Sequence, residues 1–191
     1  DDVLRDQILT VFLAGAETTS ILLSWLIILL QEHPDQNERV DAELRSLPDR
    51  AVDFGMLGHL PILNAAIRES MRLYPPIWMI SRTAGEDVML GERRVTKNDW
   101  MLVLPYYTHR IPDLWRDPHA FRIDRFLDEP DGPARHSYFP FGAGRHLCIG
   151  KHFAEYESLL TAATILRRYE FDVSDRADIE PWPGLTLKPR D

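Results

Sequence analysis

Cys148 is the only cysteine among 191 residues, and it closes the loop Phe139-Pro140-Phe141-Gly142-Ala143-Gly144-Arg145-His146-Leu147-Cys148-Ile149-Gly150, which runs into a helical pattern. A thiol at a helix N-terminus faces unpaired backbone N–H groups and the positive end of the dipole, both of which favour the thiolate. Gly142 and Gly144 let the loop turn back on itself, and Gly150 removes a side chain where something flat could approach the helix. A lone cysteine is otherwise most often an inert small hydrophobe; this setting suits a metal ligand. Glu17-Thr18 places an acid beside an alcohol within an apolar run, a pair able to move protons, although a helical threonine also commonly bonds the carbonyl one turn earlier. Glu69 and Arg72 stand at i and i+3, within salt-bridge reach on one helical face. On an exposed face such a pair has little energetic value.

These residues need elements to hold them. Ile8 to Leu30 is about long enough to span a bilayer, but Glu17 lies near its centre and no basic cluster marks one end. The run reads as the core helix of a large soluble protein, apolar all round, over about residues 3–32, with Pro34 ending it. No secretory signal precedes it. A polar helix follows from Asp35 to Leu47, and another over about 60–73 buries Leu63, Ala66, Ile67 and Ser70 before Pro75-Pro76. From about 77 to 105 short strand-like runs, divided by Gly91-Glu92 and Asn98-Asp99, predict a small antiparallel sheet. Tyr106 to Pro140 is a long aperiodic stretch of the kind that usually carries function. After the cysteine loop (139–150), Ile149, Phe153, Tyr156, Leu160, Ala163 and Leu166 mark a final helix over about 149–168. The fold class is mainly α with small antiparallel β-sheets.

Composition narrows the chemistry. One cysteine excludes a disulfide framework and a Cys-only zinc site. With 22 basic against 30 acidic residues, net −8, the chain lacks the basic surface that nucleic-acid binding needs. Fourteen prolines are too many for a simple helical bundle. The chain opens on Asp1-Asp2-Val3 inside an amphipathic stretch, which reads as a piece of a longer protein.

The spacing F-x-x-G-x-H-x-C-x-G over Phe141 to Gly150 resembles the haem-ligand signature of the cytochrome P-450 superfamily. His146 stands where the family most often has arginine, with Arg145 displaced by one, so a permanent charge is replaced by a titratable one. Ala14-Gly15-Ala16-Glu17-Thr18 resembles the family's oxygen-activating motif, and Glu69-Ser70-Met71-Arg72 its Glu-Arg motif. Arg125 in Phe121-Arg122-Ile123-Asp124-Arg125-Phe126 resembles that network's third member, with Ile-Asp in place of the usual Pro-Glu. Arg82, a few residues after the helix over about 60–73, resembles a propionate-binding arginine, and His109 a histidine near the second propionate.

The resemblance covers essentially the whole chain and implies the C-terminal portion of the P-450 fold, beginning at the oxygen-binding helix. It implies haem b with Cys148 as the axial ligand to iron, Phe141 beside the sulfur, and Gly142, Gly150, His146, Arg82, His109, Ala14 and Gly15 around the cofactor. Thr18 and Glu17 would handle protons at the oxygen site, Glu69, Arg72 and Arg125 would be structural, and Ile77, Trp78, Met79 and Ile80 would line the substrate cavity. The implied activity is insertion of one atom of O₂ into an apolar organic substrate, by hydroxylation or epoxidation. Electrons would come ultimately from NAD(P)H through ferredoxin and its reductase or a flavoprotein reductase. Arg145 and Lys151 flank the cysteine as candidate docking charges for that partner. Alternatives are a haem-free interaction module, and a haem-thiolate enzyme performing isomerisation or dehydration. Membrane association is not indicated in this segment and the expected location is cytoplasmic, with an anchor conceivable in a preceding segment.

Overall fold

The computed structural model describes residues 2–127, 133–134, 136–173 and 179–190, and shows a mainly α chain with three two-stranded antiparallel ribbons. Helix α1 (Asp2–Glu32) is long and apolar enough to cross a membrane by length and composition alone. Its second half is core instead. Thr19, Ile21, Leu22, Trp25, Leu26, Ile28, Leu29 and Leu30 are buried, and burial at successive positions means that neighbours enclose most of the helix circumference. The first half, from Val3 to Leu13, leaves its large apolar side chains exposed.

Helix α2 (Pro34–Arg45) buries Val40 and Leu44, and it also starts the next helix. Glu43 accepts the backbone N–H groups of Ile62 and Leu63 at 2.7 and 2.8 Å. These are orphan donors in the first turn of α3 (Pro61–Leu73), whose N-cap residue, Leu60, has no side-chain acceptor. Burial pushes the Glu43 carboxyl above the usual carboxylate range, and the two N–H bonds pull it back. Side chains of α1, α2, α3 and α5 (Lys151–Leu166) meet in one core, joined from the loop region by Trp115, Phe121, Ile123 and Phe126. Between the ribbons and that loop lies one short helical turn, α4 (Pro105–Thr108).

Strand β1 (Ile80–Thr83) pairs with β4 (Trp100–Val103), while β2 (Val88–Leu90) and β3 (Arg93–Val95) form a separate hairpin. The alternating pattern over 77–105 predicts one small sheet, and the structure splits it in two. Pairing continues past Thr83 only as far as Ala84, which bonds Asp99 and Asn98. There the Asp99 carboxylate takes the Thr96 N–H and hydroxyl, both at 2.8 Å, and the turn closes. Gly91, at φ +61, occupies the first position of the two-residue turn between β2 and β3, a conformation open to glycine.

The third ribbon, β5 (Glu180–Pro183) with β6 (Leu187–Arg190), contradicts the strand pattern of the sequence, because prolines at 181, 183 and 189 remove ladder donors. Pro181 even faces Pro189. Docking replaces the missing ladder bonds: Trp25 Nε1 donates to the Leu187 carbonyl at 2.8 Å, the Leu187 N–H to Pro76 at 3.0 Å, and Trp78 Nε1 to Gly184 at 2.9 Å. The Trp25 ring is itself held by a stack on Tyr74, centroids 3.8 Å apart.

Candidate active site

The cysteine loop is built on two left-handed glycines, Gly142 at φ +76 and Gly144 at φ +70. With the chain turned back there, the Cys148 N–H reaches the Phe141 carbonyl at 3.0 Å and the Leu147 N–H reaches Gly144 at 3.2 Å. Phe141 packs its ring into the core, and its carbonyl fixes the cysteine backbone. Gly150 is the N-cap of α5, so Cys148 lies two residues before the cap and Ile149, where the helical period begins in the sequence, lies outside the helix and is fully exposed. The thiol is exposed. A Cβ on Gly150 would sit 3.8 Å from Sγ, so the space beside the sulfur is kept clear by that glycine. An accessible thiol with a small neighbour and exposed apolar side chains at Leu147, Ile149 and Phe153 fits a flat, apolar iron macrocycle held by a single thiolate. No cluster of three or more metal-ligating side chains occurs among the described residues.

Below the loop lies a buried charge network. Glu69 and Arg72 are fully buried, and the guanidinium holds the carboxylate with two parallel bonds, Nε to Oε2 at 2.7 Å and Nη2 to Oε1 at 2.8 Å. Arg72 also donates to the carbonyls of His109, Pro118 and Ala120 at 2.8, 2.7 and 3.0 Å. All five of its N–H groups are thereby used. Glu69 further accepts the Arg122 N–H at 2.9 Å and Arg125 Nε at 3.1 Å. The structure thus brings Glu69, Arg72 and Arg125 together. Arg39 on α2 pairs with Asp124 at 2.6 Å, so the residue standing where proline is usual in reach of this network is followed by one with a partner of its own.

His109 requires a correction. The resemblance implies a histidine near a haem propionate, but His109 is fully buried with both ring nitrogens engaged. The Phe139 N–H donates to Nε2 at 3.0 Å, so Nε2 is bare and Nδ1 carries the proton that faces the Arg72 carbonyl at 3.2 Å. Desolvation pushes its pKa down to about 3. His109 is a neutral strut between the network and the cysteine loop, with no nitrogen left for a carboxylate.

On α1, Thr18 Oγ1 donates to the Ala14 carbonyl at 2.7 Å, the bond one turn back that helical threonines commonly form. Ala14 is exposed and Gly15 half-buried. Glu17 forms an ion pair with Lys188 of β6, and the hydrogen bond from Lys188 holds its carboxyl below the usual range while partial burial pulls the other way. One residue beyond Thr18, Thr19 Oγ1 donates to Glu157 of α5 at 3.2 Å, so the helix that follows Cys148 meets the helix that bears Thr18.

The remaining residues are placed as follows. Arg82 on β1 is half-buried, donates to the Ser81 carbonyl at 2.8 Å and forms no ion pair among the described residues. His146 and Arg145 are exposed, whereas Lys151 pairs with Glu155 at 3.8 Å. Of the four apolar residues before β1, Trp78 is tied to Gly184, Ile77 is half-buried and Met79 exposed. Ile80 lies under the cysteine loop, its Cδ1 3.8 Å from where a Cβ on Gly142 would stand. Sequence reasoning missed Lys188, and also the hub role of His109, whose only signal is its position after Tyr107-Thr108. A cavity of about 400 Å³ opens beside the loop between α3 and α5, lined in part by Arg68, Tyr138, Phe141, Lys151 and Tyr156.

The structure thus presents one accessible thiol on a loop just before a helix, braced by a buried carboxylate–guanidinium network. The family model for Cytochrome P450 matches residues 1–191, and the chain belongs to that family. It is 36% identical to cytokinin hydroxylase of Arabidopsis thaliana, with 98% of this chain and 37% of that protein covered. It is 35% identical to cyclooctatin synthase and 37% identical to cyclooctat-9-en-7-ol 5-monooxygenase, both of Streptomyces melanosporofaciens, covering 40% and 39% of those proteins and 100% and 98% of this one. The chain therefore spans about two fifths of the length of these relatives.

Proposed function

We propose that this chain is the haem-ligating part of a monooxygenase that inserts one atom of O₂ into an apolar organic substrate, by hydroxylation or epoxidation. The observation that carries the reading is Cys148: an accessible thiol two residues before the N-cap of α5, on a loop whose glycines keep its surroundings open. Cys148 would hold the iron of a bound haem b through its sulfur, and that group would supply the redox chemistry with O₂.

The chain's own residues do the rest. The Phe141 carbonyl and the His109 strut hold the cysteine backbone still. Arg82, with no carboxylate of its own among the described residues, is available to a haem propionate, and exposed His146, two residues before Cys148, is a second candidate. Thr18 parks its hydroxyl on the Ala14 carbonyl; rotating away frees that O–H while its lone pairs accept from a neighbouring acid. Glu17 is that acid, one residue earlier and ionised at rest, able to collect a proton from water and pass it toward Thr18. Electrons come from NAD(P)H through a ferredoxin system or a flavoprotein reductase, and exposed Arg145 is a charge to which an acidic partner can steer. Cytokinin hydroxylase and cyclooctat-9-en-7-ol 5-monooxygenase among the relatives support oxygen insertion as the reaction class.

The deciding experiment is a carbon monoxide difference spectrum of the reduced, haem-loaded protein. The expected result is the far red-shifted Soret band of thiolate ligation, lost in Cys148→Ser. A band unaffected by that substitution contradicts the assignment. Dependence of turnover on O₂ and on a reductase separates oxygen insertion from isomerisation or dehydration on the same haem.

A further inference from the structure

We propose that Lys188 is a positioning residue for Glu17, so that the C-terminal ribbon β5–β6 sets where the acid of the α1 acid–alcohol pair points. This rests on the reading of Glu17 as a proton relay. Two independent observations carry it. First, the ion pair joins two seated elements rather than two loose side chains: the ribbon is anchored on α1 and the segment after α3 by the Trp25–Leu187, Leu187–Pro76 and Trp78–Gly184 bonds. Lys188 follows Leu187 directly, so its backbone is fixed before its side chain reaches Glu17.

Second, the same ribbon carries an orphan hydroxyl beside the pair. Thr186 is buried, and its Oγ1 has no hydrogen-bond partner among the described residues. It falls short of hydrogen-bond geometry with Glu17, yet stands near enough to favour the ionised carboxylate. A buried hydroxyl without a partner is unfavourable and needs an explanation, and a small rotation of Glu17 would satisfy it. Glu17 thus has two neighbouring groups on one ribbon, the Lys188 ammonium on β6 and the Thr186 hydroxyl in the turn just before it, with Thr18 next to it on its own helix. Lys188 is the charged group whose field acts on Glu17 among the described residues. Glu157 of α5 reaches α1 two residues further on and is engaged by Thr19. Arg5, the one basic side chain on α1, is paired with Asp2 and Asp6.

The test uses the reduced, carbon monoxide-bound holoprotein and two readouts that do not involve turnover: the ¹³C titration of the Glu17 carboxyl, assigned with Glu17→Gln, and the pH dependence of the CO stretching band. Lys188→Met should move both midpoints upward, because the donor that favours the carboxylate is gone, and Lys188→Arg should keep them near the parent. If Glu17→Gln alters the CO band but Lys188→Met changes neither midpoint, the positioning role is wrong and the relay reading stands. A CO band indifferent to Glu17→Gln overturns the relay reading, and the positioning role with it.

Discussion

His109 turns the fold's acid sensitivity into a property of one ring. Folding holds it neutral, with its pKa near 3 against a reference of 6.5, so between those values the unfolded chain binds the extra proton. Stability is therefore complete above about pH 6.5 and lost as pH falls toward 3, at up to about 1.4 kcal/mol per pH unit from this group. Denaturant midpoints measured across that range should show the slope in the parent and lose this part of it in His109→Gln. Arg72 gives a second prediction. Removing one partner of a buried, bonded ion pair costs about 3–5 kcal/mol, so Arg72→Ala should lower the denaturation midpoint steeply. Arg72→Lys should fail to restore it, since an ammonium cannot make the parallel pair of bonds to Glu69. At this scale the sequence was readable where a motif spans a few residues: Cys148 and its glycines, Glu69 with Arg72. It singled out His109 without its partners and passed over Lys188, because those partners are backbone groups and side chains far away along the chain, which no local spacing encodes.

Helices were the legible elements, since a 3.6-residue apolar period survives in the sequence whatever packs on it. The ribbon β5–β6 was not, because its prolines break the strand pattern and its register is imposed by α1 and the Pro76 carbonyl rather than by its own ladder. That dependence can be measured. Trp25→Phe keeps most of the stack on Tyr74 but leaves the Leu187 carbonyl without its donor, a loss of about 1–3 kcal/mol. Hydrogen exchange should then accelerate at the Leu187 amide while amides of α3 stay protected; equal acceleration in both would mean the ribbon does not open on its own. The cysteine loop depends on conformation instead. An alanine at Gly142 would meet its neighbours at ordinary contact distance, 3.6 Å from the His146 carbonyl, so the expected penalty of about 1–2 kcal/mol comes from the left-handed backbone alone. Calorimetry of Gly142→Ala checks it, and an unchanged unfolding temperature would refute it.

At the scale of the whole molecule, large apolar side chains stand exposed near both candidate motifs as well as elsewhere. Val11, Phe12 and Leu13 on α1, Ile149 and Phe153 around the thiol, and Leu185 at the ribbon tip are all exposed. Large apolar side chains left exposed in this number favour association, so the 191-residue chain expressed alone and without haem should self-associate as concentration rises in sedimentation velocity. A concentration-independent monomer would contradict the expectation.

The way Arg72 holds the region after α4 has a consequence for how that region can vary. Its three outward bonds end on the carbonyls of His109, Pro118 and Ala120, and a carbonyl is the one acceptor every residue carries. Side chains at 118 and 120 could be exchanged without untying the knot, because the guanidinium reads chain path and not chemistry. The loop is thus free to diversify its surface while the floor beneath the cysteine keeps its shape.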